Sequence, residues 1–362
     1  TNTTGNWNTA IGNRALYVST TGHDNVAVGC WALQANTTGY TNVGVGVSAM
    51  YANTTGANNT ALGFRALQNN TTGNSNIAIG KDALLGASTA SNNVAIGYDS
   101  MEDITSGERN VSVGNYSSEE LTTGVDNVAV GYQALETSTI GSKNVAIGRL
   151  ALQANTTGTS NTGIGCSALA ANTTAGSNTA VGWHAGKNIT TGGSNAIFGS
   201  FAGDSMTTAG ACTILGAQAG GALTIGDNNT AIGYNALTQV TTGSGNVAVG
   251  REALENNTVD NNTAVGNWAL HINSTGYSNV GVGASALEAN TTGFQNVAVG
   301  MLALKSNTTA QRCNAFGFYA LASNTTGNYN CAFGTWALDA VTTGSRNVAM
   351  GYAALTDSVS ND

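Results

Sequence analysis

The chain has 362 residues, with 11 Lys or Arg against 19 Asp or Glu and a formal net charge of −8. Only 8% of residues are charged and none is Pro, while 49 are Gly and 41% are apolar. This balance excludes charge-driven disorder and a nucleic-acid surface, which needs clustered basic residues. No apolar run approaches the ~18 residues of a membrane span.

The first recurring element along the chain ends in Gly12, which closes NTAIG, and the next in Gly29, which closes NVAVG. The same glycine returns at 46, 63, 80, 97, 114 and onward to 351, in 21 copies. Nineteen intervals are 17 residues and one, Gly250 to Gly266, is 16. A period this strict overrides the two or three globular domains that length alone predicts. Residues 1–362 are expected to form a single array, opening at Thr1 without Met or leader as a processed product or an excerpt does.

Positions are counted here from the repeat glycine, so that position 1 follows it. The unit reads G-x-x-A-L-x-x-N-T-T-G-x-x-N-V-A-V. Positions 1 and 2 vary most and collect thirteen of the 23 aromatics: Trp31, Phe64, Tyr98, Tyr116, Tyr132, Trp183, Phe201, Tyr234, Trp268, Phe318, Tyr319, Trp336 and Tyr352. Position 4 is Leu in fifteen copies, but its run between glycines is too short for a stable helix. Position 7 is mostly Asn or Ser, yet Ile104, Leu121, Ile189, Met206, Leu223, Val240 and Val341 also stand there. A site that takes either amide or aliphatic points inward at a corner. Position 13 is Asn in nineteen copies (Asn25, Asn42, Asn59, Asn76, Asn93), with Cys212 and Cys313 the exceptions. Stacked Asn side chains can hydrogen-bond up and down a ladder.

The last three residues of most units alternate a β-branched residue (Val, Thr or Ile), a small one (usually Ala, sometimes Gly) and an apolar one, the period of a short strand. Val130 and its equivalents before the glycine are expected inside, and Gln133 wet. The repeat glycines, Gly29, Gly46, Gly63, Gly80 and Gly97 among them, supply turn conformations closed to other residues, as does the second glycine near TTG. One such coil cannot bury its apolar face alone, and stacking identical coils can. The predicted fold is all-β: a parallel β-solenoid of about 21 rungs with 17-residue coils, roughly 100 Å long at about 4.8 Å per rung. Where position 4 loses its Leu at Gly203 and Gly220, the small strand residue becomes Ile197 and Ile214, returning the volume. Gly186 shows no such partner.

The motif GxxNVAVGxxA, as at Gly22 to Ala32, resembles the head repeats of trimeric autotransporter adhesins of the YadA type. NTTGxxNTAIGxxAL arrays are also similar to viral tail-fibre repeats. The resemblance covers the whole chain. It implies a left-handed β-roll, three chains side by side as a homotrimer, and an extracellular attachment fibre on a cell surface or virion. The adhesin heads use a shorter unit, and this segment carries no stalk, anchor barrel or fibre chaperone.

The expected function is therefore the shaft or head of an attachment fibre, not an enzyme. Its expected partners are copies of itself and a cell-surface glycan or host receptor. Neither nucleic acid nor membrane insertion is expected. A self-assembling filament is the alternative within that class, and an ice-binding solenoid the alternative outside it. The aromatic stripe serves as a binding or inter-chain surface, with inter-chain packing the preferred reading. Adjacent threonines of NTT point to opposite faces, against a flat ice-binding plane. The same tripeptide is a glycosylation sequon that the repeat itself generates. Five cysteines without CxxC spacing, three histidines at three repeat positions, and carboxylates that recur at no one position predict no disulfide framework, metal, cofactor or catalytic set.

Overall fold

The computed structural model describes residues 3–356. It falls into two compact units, Thr1–Asn178 and Thr179–Asp362. Each unit is a parallel β-solenoid with one three-residue strand per coil. The first holds β1 (Thr9–Ile11) to β10 (Thr162–Ile164), the second β11 (Thr179–Val181) to β21 (Val348–Met350). No helix occurs among the described residues.

Within each unit every strand pairs in parallel with the next, and like residues face like. Val128, Ala129 and Val130 oppose Val145, Ala146 and Ile147. In the second unit Val280, Gly281 and Val282 oppose Val297, Ala298 and Val299. The 16-residue interval keeps this register, with Val247 opposite Thr263. Its missing residue comes from the TTG turn, where the Val259 carbonyl accepts from Asn246 Nδ2 (2.9 Å) and Asn257 Nδ2 (2.7 Å). On other rungs the carbonyl of a glycine such as Gly56, or of an alanine such as Ala175, does this.

The expectation that Val130 is buried is overturned. The middle residue of each strand points in and its two neighbours point out. Ala129 is wholly buried, while Val128 and Val130 are half-exposed, as is Gln133. Volume is the reason. The position-4 Leu of the preceding rung packs directly on the middle strand residue. A Cβ placed on Gly163 would meet Leu152 Cγ at 3.3 Å, and one on Gly44 would meet Leu33 Cγ at 3.3 Å. A coil this narrow has space for Ala beside that Leu and not for Val, because interiors are close-packed.

Position 7 does point inward, and its Asn and aliphatic residues are alike buried. The two Asn ladders meet on one acceptor: Asn42 Nδ2 and Asn53 Nδ2 both donate to the Gly56 carbonyl, at 2.8 and 3.0 Å. Asn42 N and Asn59 N donate to the Asn Oδ1 one rung back, at 3.0 Å each. Buried backbone groups at the corner are thus satisfied by side chains, as burial requires. Cys212 and Cys313 keep the donating half of this role, with Sγ 3.4 Å from the Gly226 carbonyl and 3.2 Å from that of Gly327.

The lost Leu side chains have two replacements. Ile214 Cδ1 would lie 3.2 Å from a Cβ on Gly220, so it fills that gap. Met206 Sδ would lie 2.6 Å from a Cβ on Gly203. Position 7 is the more general filler. Each rung with Ser118, Gly186, Gly203 or Gly220 at position 4 carries buried Leu121, Ile189, Met206 or Leu223 three residues on. Ile189 is the partner that Gly186 lacked.

The two glycine classes differ. The repeat glycine has φ near +135° (Gly131 +139°), and a Cβ on it would lie 2.5 Å from the Gly148 carbonyl oxygen. The TTG glycine is not left-handed: Gly56 is constrained only by close approach, 2.5 Å from its Cβ position to the Gly73 oxygen. Accordingly Ala90, Ala175, Ala209, Ala310 and Val259 replace it, whereas the repeat glycine stands in every copy.

Candidate functional site

Positions 1 and 2 are set by the glycine before them. After its extended positive-φ turn, position 2 is left-handed even for bulky residues, with φ of 62° at Trp31 and 59° at Tyr116. Its amide donates to the position-1 carbonyl one rung earlier, Trp31 N to Asn13 O at 2.9 Å and Tyr116 N to Tyr98 O at 2.9 Å. The side chains of both slots are therefore held at rung spacing on one side of the coil.

The thirteen aromatics do not form one continuous stripe. In the first unit Tyr98, Tyr116 and Tyr132 meet edge to face, with centroids 5.3 and 6.0 Å apart. In the second unit Trp183 packs on Phe201 at 4.6 Å, and Phe318 contacts Tyr319 and Trp336, which reaches Tyr352 at 5.5 Å. The others are placed singly. Phe64 lies under the Arg65 guanidinium, Trp268 donates to Glu252, and Trp31 and Tyr234 are exposed. Ring clusters alternate with charge, as at Arg65, whose Nε and Nη2 grip Asp82 at 2.7 and 2.6 Å. Burial of Asp82 works against ionisation, but hydrogen bonds from Arg65 and Lys81 outweigh it and hold its carboxyl below the usual range.

A second aromatic line stands at positions 11 and 12. Tyr277 stacks on Phe294 at 4.9 Å, and Arg312 reaches over Phe294 and Tyr329. Reading those two positions rung by rung would have found it.

Position 5 carries what local spacing hides. Glu102, Glu119 and Glu136 follow one another there, as do Glu255, His271 and Glu288. Carboxylates thus recur at one position after all. Asp99, Glu102 and Glu119 bring their oxygens within 4.8 Å of one another, and Glu252, Glu255 and His271 form a similar set. The second set is already partnered: Glu252 accepts from Arg251 and Trp268, and His271 Nδ1 lies 3.3 Å from Glu255 Oε2. In the first set burial, then the neighbouring charges of Glu136, Asp99 and Glu102, push Glu119 up to about 7. Because this carboxyl's folded value lies above its unfolded value, its contribution to stability is full below pH ~4.5 and is lost as pH rises to ~7. Glu119→Gln is accordingly expected to raise the melting temperature at pH 8 and leave it unchanged at pH 4. Equal shifts at both pH values in thermal melts would contradict this.

The NTT segment offers one exposed threonine line, not two. Thr37 Oγ1 donates to the Thr54 carbonyl at 3.0 Å, and Thr54 to Thr71 at 2.9 Å, while Thr38 faces solvent. The sequon asparagines are buried with their amide nitrogens committed to the ladder, as Asn53 Nδ2 is to Asn36 Oδ1 at 2.7 Å. All five cysteines are free thiols.

The outward strand positions make a chemically uniform surface. Position 16 is apolar in all 21 copies, and position 14 carries no charge in any. Leu62 is 48% exposed, Ile147 39% and Leu215 45%. Parallel sheets are ordinarily covered on both faces, and this one is covered on one. Ten strands of three residues form a stripe on the order of 500 Å² in the first unit, the size at which an apolar patch marks an interaction surface. No helix among the described residues is long and apolar enough to cross a membrane. No protein-family model matches the chain, and no curated protein matches it.

Proposed function

We propose that this chain is the shaft or head of an extracellular attachment fibre, in which three copies pack side by side through their outward strand faces. The uncharged Val/Ile/Thr face carries this reading, because water-exposed apolar ladders repeating at a fixed pitch are matched best by the same ladders on another copy. Three is the number implied by the resemblance to adhesin heads. The coils give stiffness through hydrogen bonds between every pair of successive rungs within each unit. The position 1 and 2 side chains then lie outside the strand faces, repeated along the fibre, where many weak contacts add as avidity. Sedimentation equilibrium of the purified chain is expected to return three times the chain mass. A monomer at micromolar concentration would refute the assembly.

A further inference from the structure

Three successive rungs of the second unit, opened by Gly199, Gly216 and Gly233, depart from the repeat on the side of positions 2 and 5. Position 5 is a long side chain on many rungs, such as Gln34, Tyr51, Gln68 and Gln153, but Gly221 stands there on the middle one. A groove of about 390 Å³ lies beside Gln34, Tyr51 and Gln68 in the first unit; with no side chain at position 5 of the middle rung, the groove here is larger, about 480 Å³, and its lining includes Phe201, Asp204, Gln218, Gly221, Asn235 and Gln239.

The chemistry of the lining is uneven. At one end is Phe201, whose ring is backed by Trp183 outside the groove. Along the rest are the amides of Gln218, Asn235 and Gln239 and the half-buried Asp204 carboxyl. A purely apolar ligand would leave the amides and the Asp204 carboxyl without partners, and an anion would face Asp204. A molecule with one apolar face and a rim of hydroxyls meets both requirements. Rungs two apart are separated by about 10 Å, enough for one pyranose ring with its substituents.

We propose that this groove binds a neutral hexopyranose unit of a glycan. The ring's C–H face lies on Phe201, its hydroxyls donate to the Asp204 carboxylate, and other sugar oxygens accept from the amides of Gln218 and Gln239. The site rests on the attachment reading for its biological role, since it names the class of receptor such a fibre would hold.

The test is saturation-transfer NMR on the full chain with methyl glucopyranoside, methyl galactopyranoside and methyl N-acetylglucosaminide at millimolar concentration. At least one is expected to receive saturation. Gly221→Gln is expected to weaken that binding about tenfold or more, because its side chain would stand in the groove where the middle rung has none. Gly221 has an ordinary φ and a Cβ there comes no closer than 3.3 Å to its neighbours, so the coil accepts the change. Phe201→Ala, at a half-buried ring, is expected to act likewise, and Gln153→Gly in the first unit to change nothing. No saturation of any probe, or binding that survives both groove variants, overturns the proposal. A trimer that binds no sugar refutes the groove and leaves the fibre. A monomer with groove-dependent binding does the reverse.

Discussion

Ala129→Asp is expected to destroy the local fold, while its neighbour Val130→Asp leaves each coil folded and abolishes self-association. Ala129 is fully buried and stands between Ser112 and Ala146 on the neighbouring strands, and the Ser112 hydroxyl is already committed to the Ser117 carbonyl. A carboxylate there would be desolvated without compensation, a cost of about 3 kcal/mol or more. Protonation would relieve the charge but not the crowding. The Val130 side chain is half-exposed on the outer face, where a charge costs the single coil on the order of 0.5 kcal/mol. In an assembly the same charge would be buried three times over. Circular dichroism melts and sedimentation on both variants separate the two effects. Equal unfolding by the two would place the valine inside, and a Val130→Asp trimer would move the interface to another face.

The second large effect is Gly131→Ala, expected to cost on the order of 3 kcal/mol. At φ +139° an L side chain is strained whatever the space, and its Cβ would stand 2.5 Å from the Gly148 oxygen. Relief requires the two rungs to part, which stretches the bond from Gly148 N to the Val130 carbonyl, now 2.8 Å. Hydrogen exchange should show lost protection confined to the rungs around Gly131, because coupling in a stacked array runs between neighbours. Gly221→Ala, with ordinary φ and a nearest neighbour at 3.3 Å, is the control and should change protection little. Comparable loss in both would mean that the repeat glycine is not conformationally required.

Most of the architecture was legible because a strict period leaves few ways to satisfy it. The strands, their register, the inward corner at position 7 and the Asn ladder all follow from asking which residue lies one rung above which. The orientation of the strand was not legible from alternation. Period two defines two faces without saying which is inner, and hydrophobicity favoured Val130 over Ala129. What decides is volume, and volume depends on Leu135 and its equivalents arriving from another side of the coil. Glu119 was missed for a related reason. Its neighbours Glu102 and Glu136 are adjacent in space and 17 residues away in sequence, so a search for local clusters cannot see them. The slots that hold the aromatics can be read from the repeat, but whether Tyr116 meets Tyr132 or Trp268 meets a carboxylate depends on what the adjacent rung carries.

The interchangeable register between rungs has a genetic counterpart. Within either unit, the carbonyls one coil offers upward are those its predecessor offered, so an in-frame duplication or loss of one repeat leaves every junction chemically unchanged. Reach then becomes a trait that replication slippage can lengthen or shorten a storey at a time, without inventing a new surface. The rung at Gly250, one residue short yet still in register, shows how an imperfect event of that sort can be absorbed in a turn.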